Sequence, residues 1–196
     1  KDTKARGEQS MIILNRRGYA SFAMCGTCGN SVKCPNCSVS TTLHKNGKLE
    51  ICHYCGFQRT LRTECVECGS TALLNMGAGT QHLESELARL VPEISVARLD
   101  RDVLTSATRL EGILSDFRTG KIDCLVGTQI LAKGHDFSRV TLVAILHVED
   151  GLYLPDFRSS ERTFQLLTQA AGRAGRGALA GRVLVQTLVP DHPVMH

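Results

Sequence analysis

Eight of the nine cysteines fall between Cys25 and Cys68, and all eight come as C-x-x-C pairs: Cys25/Cys28, Cys34/Cys37, Cys52/Cys55 and Cys65/Cys68. A thiolate is a soft metal ligand, and two of them three residues apart can reach one ion from a single tight turn. Four repeats of this spacing are what two tetrahedral four-thiolate zinc sites need, whereas a secreted disulfide framework rarely repeats one spacing. The expectation is two Zn2+ ions per chain. A redox role suits one C-x-x-C at a helix start in a thioredoxin-like unit, and no such unit surrounds these pairs.

Spacing bears on which pairs join. Fourteen residues separate Cys37 from Cys52, a usual span for a zinc ribbon, while only five separate Cys28 from Cys34, a short distance in which to turn one knuckle to face the next. The favoured arrangement is nested, with an inner site of Cys34, Cys37, Cys52 and Cys55 and an outer site of Cys25, Cys28, Cys65 and Cys68; sequential pairing stays open. Gly29, Gly56 and Gly69 each follow the second cysteine of a pair, where a knuckle turns sharply. His44 and His53 read as surface or packing residues, since each site already has four thiolates, and Cys124 reads as a small buried hydrophobe. The cysteine segment holds five Lys or Arg against three Glu. Eight thiolates and two Zn2+ make its folded charge about −2, so attraction of phosphate is a weak reason for its presence. A scaffold or protein-docking surface is the more economical role.

A second set of residues suits phosphate. In "TQAAGRAGRG" (Thr168 to Gly177), Arg173 and Arg176 stand three apart among Gly172, Gly175 and Gly177. Two guanidiniums that project one way from a closely held backbone suit a triphosphate, because guanidinium is a permanent planar donor. The plainer reading is a helix end with cations on its dipole and a glycine stop. Upstream, "LVGTQILAKGHDF" (Leu125 to Phe137) runs from an apolar strand into a polar loop with Thr128, Gln129, Lys133, Gly134, His135 and Asp136. The carboxyl ends of parallel strands are where open α/β sheets bind ligands.

These loops require a frame. "MIILN" (Met11 to Asn15) reads as a buried strand, "ALLNM" (Ala72 to Met76) as a further strand, and a helix is expected from about Gln81 with Thr80 as N-cap and Leu83, Leu87, Leu90 and Val91 on one face. Then follow "ISVARL", a helix from about Thr105 to Arg118 stopped by Gly120, the strands "IDCLV" and "VTLVAIL", a helix from about Ser160 to Gly172, and "RVLVQTL". The alternation predicts a doubly wound α/β domain, residues 1–24 and 71–196, interrupted after its first strand by a zinc-binding insert at 25–70.

Composition fits this picture. A chain of 196 residues with 42% hydrophobic content can bury a core, and a net charge of +4 permits nucleic acid binding without demanding it. No apolar run approaches membrane-span length and residues 1–10 are too polar for a signal peptide, so the chain reads as cytosolic and soluble.

With "VGTQILAKGHDF" matching motif V and "QAAGRAGR" matching motif VI, the chain resembles the second RecA-like lobe of a superfamily 2 helicase. "LNRRGYASFAMC" before four C-x-x-C pairs, then "GAGTQHLESEL", "ARLDRD", "DFRSSERTFQLLTQAAGRAGR" and "VLVQTLVPDHP", narrow the resemblance to the PriA family of replication-restart DNA helicases, over residues 11 to 193. The resemblance implies a bacterial, cytoplasmic, ATP- and Mg2+-dependent 3′→5′ helicase that unwinds forked or single-stranded DNA at abandoned forks. It also implies partners: single-stranded DNA-binding protein, other primosome proteins and helicase lobe 1 of the same parent chain. Carried residue by residue, Arg176 is the arginine finger with Arg173 beside it, Gln169 couples nucleotide to lobe closure, Thr128 and Gln129 contact DNA, and Gly134 and Asp136 lie by the nucleotide. The family's cysteine pairing is the nested one.

Between motifs V and VI, Tyr153 and Phe157 could stack on bases. Packing beneath a loop is the favoured reading for both. No G-x-x-x-x-G-K-[ST] and no DExH tetrapeptide occurs, so the chain by itself is expected neither to hydrolyse ATP nor to unwind DNA, and to be a piece lacking lobe 1 and the flanking domains. Two other classes compete: a non-catalytic zinc interaction module on an α/β scaffold, and a thiol oxidoreductase.

Overall fold

The computed structural model describes residues 1–15, 22–37, 39–44, 48–76, 80–100, 103, 106–132, 136–154, 156–177 and 179–196. Its elements, in chain order, are α1 (Asp2–Ala5), β1 (Gln9–Leu14), β2 (Phe22–Cys25), β3 (Thr42–His44), β4 (Leu49–Ile51), β5 (Gln58–Thr60), β6 (Leu73–Met76), α2 (Thr80–Leu90), β7 (Val96–Leu99), α3 (Ala107–Thr119), β8 (Cys124–Gly127), β9 (Val140–Leu146), α4 (Glu149–Leu152), α5 (Ser159–Ala171) and β10 (Arg182–Val185). The chain forms two compact units. The first takes Lys1–Arg16, Ala78–Val148 and Phe164–Gln186; the second takes Arg17–Gly77, Glu149–Thr163 and Thr187–His196.

In the first unit, five strands form one parallel sheet in the order β10-β9-β1-β8-β7. The most apolar strand segments hold its middle: Met11 and Ile13 of β1, Leu125 and Val126 of β8, and Val143 and Ile145 of β9 are all fully buried. A parallel sheet is covered on both faces, which is why these strands read as continuous apolar runs instead of alternating ones. Helix α3 turns Leu114 and Phe117 inward. Its ends follow ordinary capping chemistry: the Ser106 hydroxyl accepts from the Arg109 N–H at 3.2 Å, and Gly120 ends the helix in the left-handed region at φ 84°.

Two expectations for α2 are corrected. Thr80 is its first helical residue and not a side-chain cap, because its hydroxyl is committed to Asp100 Oδ2 at the end of β7. Leu90 is exposed while Leu83 and Leu87 are half-buried, so the apolar stripe turns away from the sheet by the last turn.

The second unit is built from two small antiparallel sheets, β2-β6 and β3-β4-β5. β6 is the strand expected at Ala72 to Met76, but it pairs with β2 and not with the parallel sheet. Small apolar clusters hold the unit together: Phe22 and Met24 with Tyr153, and Ala23, Val32 and Leu43 with Leu61. Three carboxylates are buried among the described residues of this unit, Glu50, Glu149 and Asp150. Glu50 on β4 is fully enclosed and takes Arg59 Nε at 2.8 Å. Glu149, at the start of α4, accepts from the Thr187 hydroxyl at 2.6 Å and from the Leu188 N–H. Among the described residues no helix is long and apolar enough to cross a membrane.

Candidate metal centres and the arginine loop

All four C-x-x-C pairs fold into one kind of turn. The N–H of each leading cysteine donates to the carbonyl five residues on: Cys25 to Asn30, Cys34 to Val39, Cys52 to Phe57 and Cys65 to Ser70, at 2.8 to 2.9 Å. Gly29, Gly56 and Gly69 donate back to the carbonyls of Cys25, Cys52 and Cys65, each at 2.9 Å. Their φ angles of 72°, 74° and 70° place them in the left-handed region that favours glycine. The turns therefore aim both sulfurs of each pair to one side.

The structure gathers the eight sulfurs into two groups, Cys25, Cys28, Cys65 and Cys68, and Cys34, Cys37, Cys52 and Cys55; within each group the Sγ atoms lie within 4.8 Å of one another. The separations Cys25–Cys68 of 3.6 Å, Cys28–Cys65 of 3.7 Å and Cys34–Cys55 of 3.6 Å are nearly twice the S–S bond of about 2.05 Å. They fit a tetrahedron with Zn–S bonds of about 2.3 Å, whose corners stand about 3.8 Å apart. The donor set and its spacing thus fit Zn2+. Cys124 belongs to neither group and is buried in β8, where burial pushes its thiol up to about 11.

The thiol energetics explain why a cation is wanted. In the outer group the Cys28 N–H leads in pulling Cys25 down to about 6. Cys68 ends up at about 12: the Ser70 N–H pulls it down, but burial and the neighbouring sulfurs of Cys28, Cys25 and Cys65 outweigh that donor. The inner group repeats the split. Cys55 is pulled down to about 7, first by the Phe57 N–H, and Cys37 is pushed up to about 12, first by its hydrogen bond to Cys55. Four crowded sulfurs cannot all carry charge unless a divalent ion sits among them.

His44 and His53, read as surface or packing residues, pair with each other, Nε2 to Nε2, at 3.1 Å. Glu50 carries no mark in the sequence. Beyond Arg59, it accepts from the Arg62 N–H at 3.4 Å and the Thr41 hydroxyl at 3.5 Å, and so ties together the sheet whose β4–β5 connection carries Cys52 and Cys55 of the inner group.

In the first unit the arginine loop is seated on the segment that joins β8 to β9. Arg173 Nε donates to the Ala132 carbonyl at 3.1 Å. Burial, then the nearby Arg176 charge, lowers the Arg173 pKa. Arg176 lies further out. Its Nε donates to the Gly172 carbonyl at 2.6 Å, and its Nη1 is 3.8 Å from Asp136 Oδ1. Glycine is required at two places: the Gly175 N–H donates to the Val140 carbonyl with φ 70°, and a Cβ there would collide with the Gly181 N, while a Cβ on Gly177 would meet the Ser138 carbonyl at 2.6 Å. Gly172 has ordinary clearance.

Thr128 and Gln129 follow β8 directly and are half-buried, and Gln169 is exposed on α5. Gly134, with Lys133 and His135, lies outside the described residues, as does Thr105. Tyr153 packs as expected, edge-on to Phe22 with centroids 5.9 Å apart, its hydroxyl donating to the Gly29 carbonyl at 3.2 Å. Phe157 does not pack: it is 95% exposed.

A parallel α/β sheet of RecA-like type, with a ribbon of two four-cysteine clusters inserted after its first strand, defines a helicase lobe carrying a zinc module. Residues 60–178 match the helicase conserved C-terminal domain, and residues 34–59 match the PriA DNA helicase Cys-rich region domain. The chain belongs to the helicase conserved C-terminal domain family, in the PriA form that carries the Cys-rich region. The replication restart protein PriA of Bacillus subtilis is 47% identical over 191 residues, which cover 97% of this chain and 24% of that protein. Its counterpart in Haemophilus influenzae is 47% identical over 190 residues, covering 97% and 26%. That of Treponema pallidum is 43% identical over 193 residues, covering 98% and 29%. The chain thus spans about a quarter of the length of the curated relatives it matches.

Proposed function

We propose that this chain is the second motor lobe of an ATP-dependent 3′→5′ DNA helicase that restarts replication at abandoned forks. Residues 1–24 and 71–196 form the lobe and residues 25–70 the insert, whose two four-cysteine groups each hold one structural Zn2+ and present a surface to DNA or to primosome proteins. ATP and Mg2+ are bound chiefly by lobe 1, which also supplies the phosphate cradle. This chain adds the charges that stabilise the transferring phosphoryl group.

The observation that carries the reading is the seating of the arginine loop. Arg173 is half-buried and anchored on Ala132, so it fixes the loop against the segment after β8. Arg176 is held outward by one hydrogen bond to its own helix end and by a loose ion pair with an exposed aspartate. Such a pair is worth about 1 kcal/mol or less and releases readily to a phosphate. Arg176 is therefore the finger and Arg173 its support, with Gln169, Gly134 and Asp136 beside the nucleotide and Thr128 and Gln129 on the DNA backbone. Mutating Arg176 to Ala in the full-length protein should lower DNA-stimulated ATP hydrolysis by about 10³-fold with zinc content unchanged. Turnover near that of the wild type would remove the assignment.

A further inference from the structure

We propose that Phe157 is a base-stacking platform for an unpaired nucleobase of single-stranded DNA. This role deepens the proposed function and rests on it. Phe157 is 95% exposed, against 73% for Val66 and 63% for Tyr54, the next most open large apolar side chains among the described residues. Scattered exposed apolar residues are ordinary on protein surfaces, so exposure alone decides nothing.

What distinguishes Phe157 is how its backbone is held. Asp156 Oδ1 accepts from the Arg158 N–H at 2.9 Å, the Asp156 carbonyl accepts from the Ser159 N–H at 3.0 Å, and Asp156 Oδ2 pairs with Arg162 Nη1. Arg158 is fixed in turn by two hydrogen bonds to Glu161, at 2.9 and 3.0 Å. The residues on both sides of the ring are tied down while the ring itself is left in solvent. A ligand that meets it finds the backbone on which the ring stands already tied down, which lowers the entropy cost of binding.

The surroundings select the ligand. Asp156, Arg158, Ser159, Ser160, Glu161 and Arg162 are all polar, whereas a protein interface has a contiguous apolar core. A flat, exposed ring followed in the chain by residues bearing hydroxyls and guanidiniums suits a nucleobase, whose face stacks and whose backbone accepts hydrogen bonds. Both arginines are already paired with carboxylates, so the contact is stacking and not phosphate neutralisation. Its contribution should be nearly independent of salt.

The test uses the full-length, zinc-loaded protein and an oligothymidylate carrying one 2-aminopurine, whose fluorescence is quenched on stacking. Phe157→Ala should weaken binding roughly tenfold and abolish the quench, while two zincs per chain and the salt dependence of binding stay as in the wild type. Phe157→Trp should restore both affinity and quench, and Phe157→Leu neither. Unchanged binding and quench in Phe157→Ala overturn the inference, as does full rescue by leucine, which marks an aliphatic protein contact. If the wild type binds no single-stranded DNA, the proposed function falls with it; if the wild type binds and Phe157→Ala matches it, this inference falls alone.

Discussion

The Sγ atoms of Cys25 and Cys68 stand 3.6 Å apart although the two residues are forty-three positions apart in the chain. The cysteine segment therefore folds as one ribbon, its first pair closed by its last. Paired substitutions read that topology directly. Cys25→Ser with Cys68→Ser should remove one zinc of two, because both changes fall in one site, while Cys25→Ser with Cys34→Ser should remove both. Elemental analysis of the two double variants separates nested from sequential pairing, for which the counts are reversed. Chelation of both metals should unfold the ribbon, since each ion replaces a core that segment is too small to supply.

Acid should loosen the first unit through Asp123. Its carboxylate accepts from Lys4 Nζ at 2.8 Å and from the Ser95 N–H at 2.7 Å. Burial pushes its pKa up, but these two donors together outweigh burial and hold it below its ordinary 3.8. A carboxyl that is more acidic when folded adds stability above its unfolded pKa and loses it as the pH falls through the folded value. The contribution should be complete at about pH 6 and should fade below about pH 4. Asp123→Asn should cost about 1 kcal/mol at neutral pH, the range for a hydrogen-bonded, partly exposed ion pair, and this cost should shrink as the pH approaches about 3. Urea titrations of both proteins at the two pH values measure it.

Glu50 should matter to the inner metal site without touching it. It is fully buried, and Arg59 and Arg62 converge on its two oxygens. Removing one partner of a buried ion pair typically costs about 3 to 5 kcal/mol, because the other charge is left uncompensated. Glu50→Ala should therefore destabilise the β3-β4-β5 sheet and speed zinc release from Cys34, Cys37, Cys52 and Cys55, with the outer zinc retained longer. A chromophoric chelator assay should resolve a fast zinc and a slow one, where the wild type gives two slow ones. Equal release from both sites would show that Glu50 serves the whole ribbon.

The sequence made some of this architecture legible and hid the rest for physical reasons. β9 was readable to the residue because a strand of a parallel sheet covered on both faces reads as a nearly continuous apolar run, and the end of α3 because Gly120 marks it, whereas the Ser106 cap went unread and the helix starts two residues later than expected. β6 was readable as a strand but not in its pairing: "LLNM" carries no mark that its partner is Phe22–Cys25 instead of the parallel sheet. Thr80 looked like an N-cap because the pull of Asp100, twenty residues on, is a tertiary effect. The cysteine grouping was nearly explicit, since ligand spacing is local chemistry. Glu50 was invisible, because a lone glutamate in a short strand normally faces water. Phe157 misled in the opposite direction: aromatic residues near a loop usually pack, and only the structure shows a ring held outward.

Arg173 and Arg176 should separate by phenotype although they are three residues apart. Arg173 is half-buried, and its Nε is bonded to the Ala132 carbonyl. Arg173→Ala leaves that carbonyl without its donor and should cost about 1 to 2 kcal/mol, seen as a lower Tm together with lost ATPase activity. Arg176 is exposed, and its ion-pair partner Asp136 is more exposed still. Arg176→Ala should leave Tm nearly unchanged while abolishing DNA-stimulated turnover in the full-length protein, and Arg176→Lys should recover little, because an ammonium keeps the charge but loses the planar fork. Equal losses of stability in both variants would mean that the loop acts only as a helix end, the plainer reading that its glycines and cations also permit.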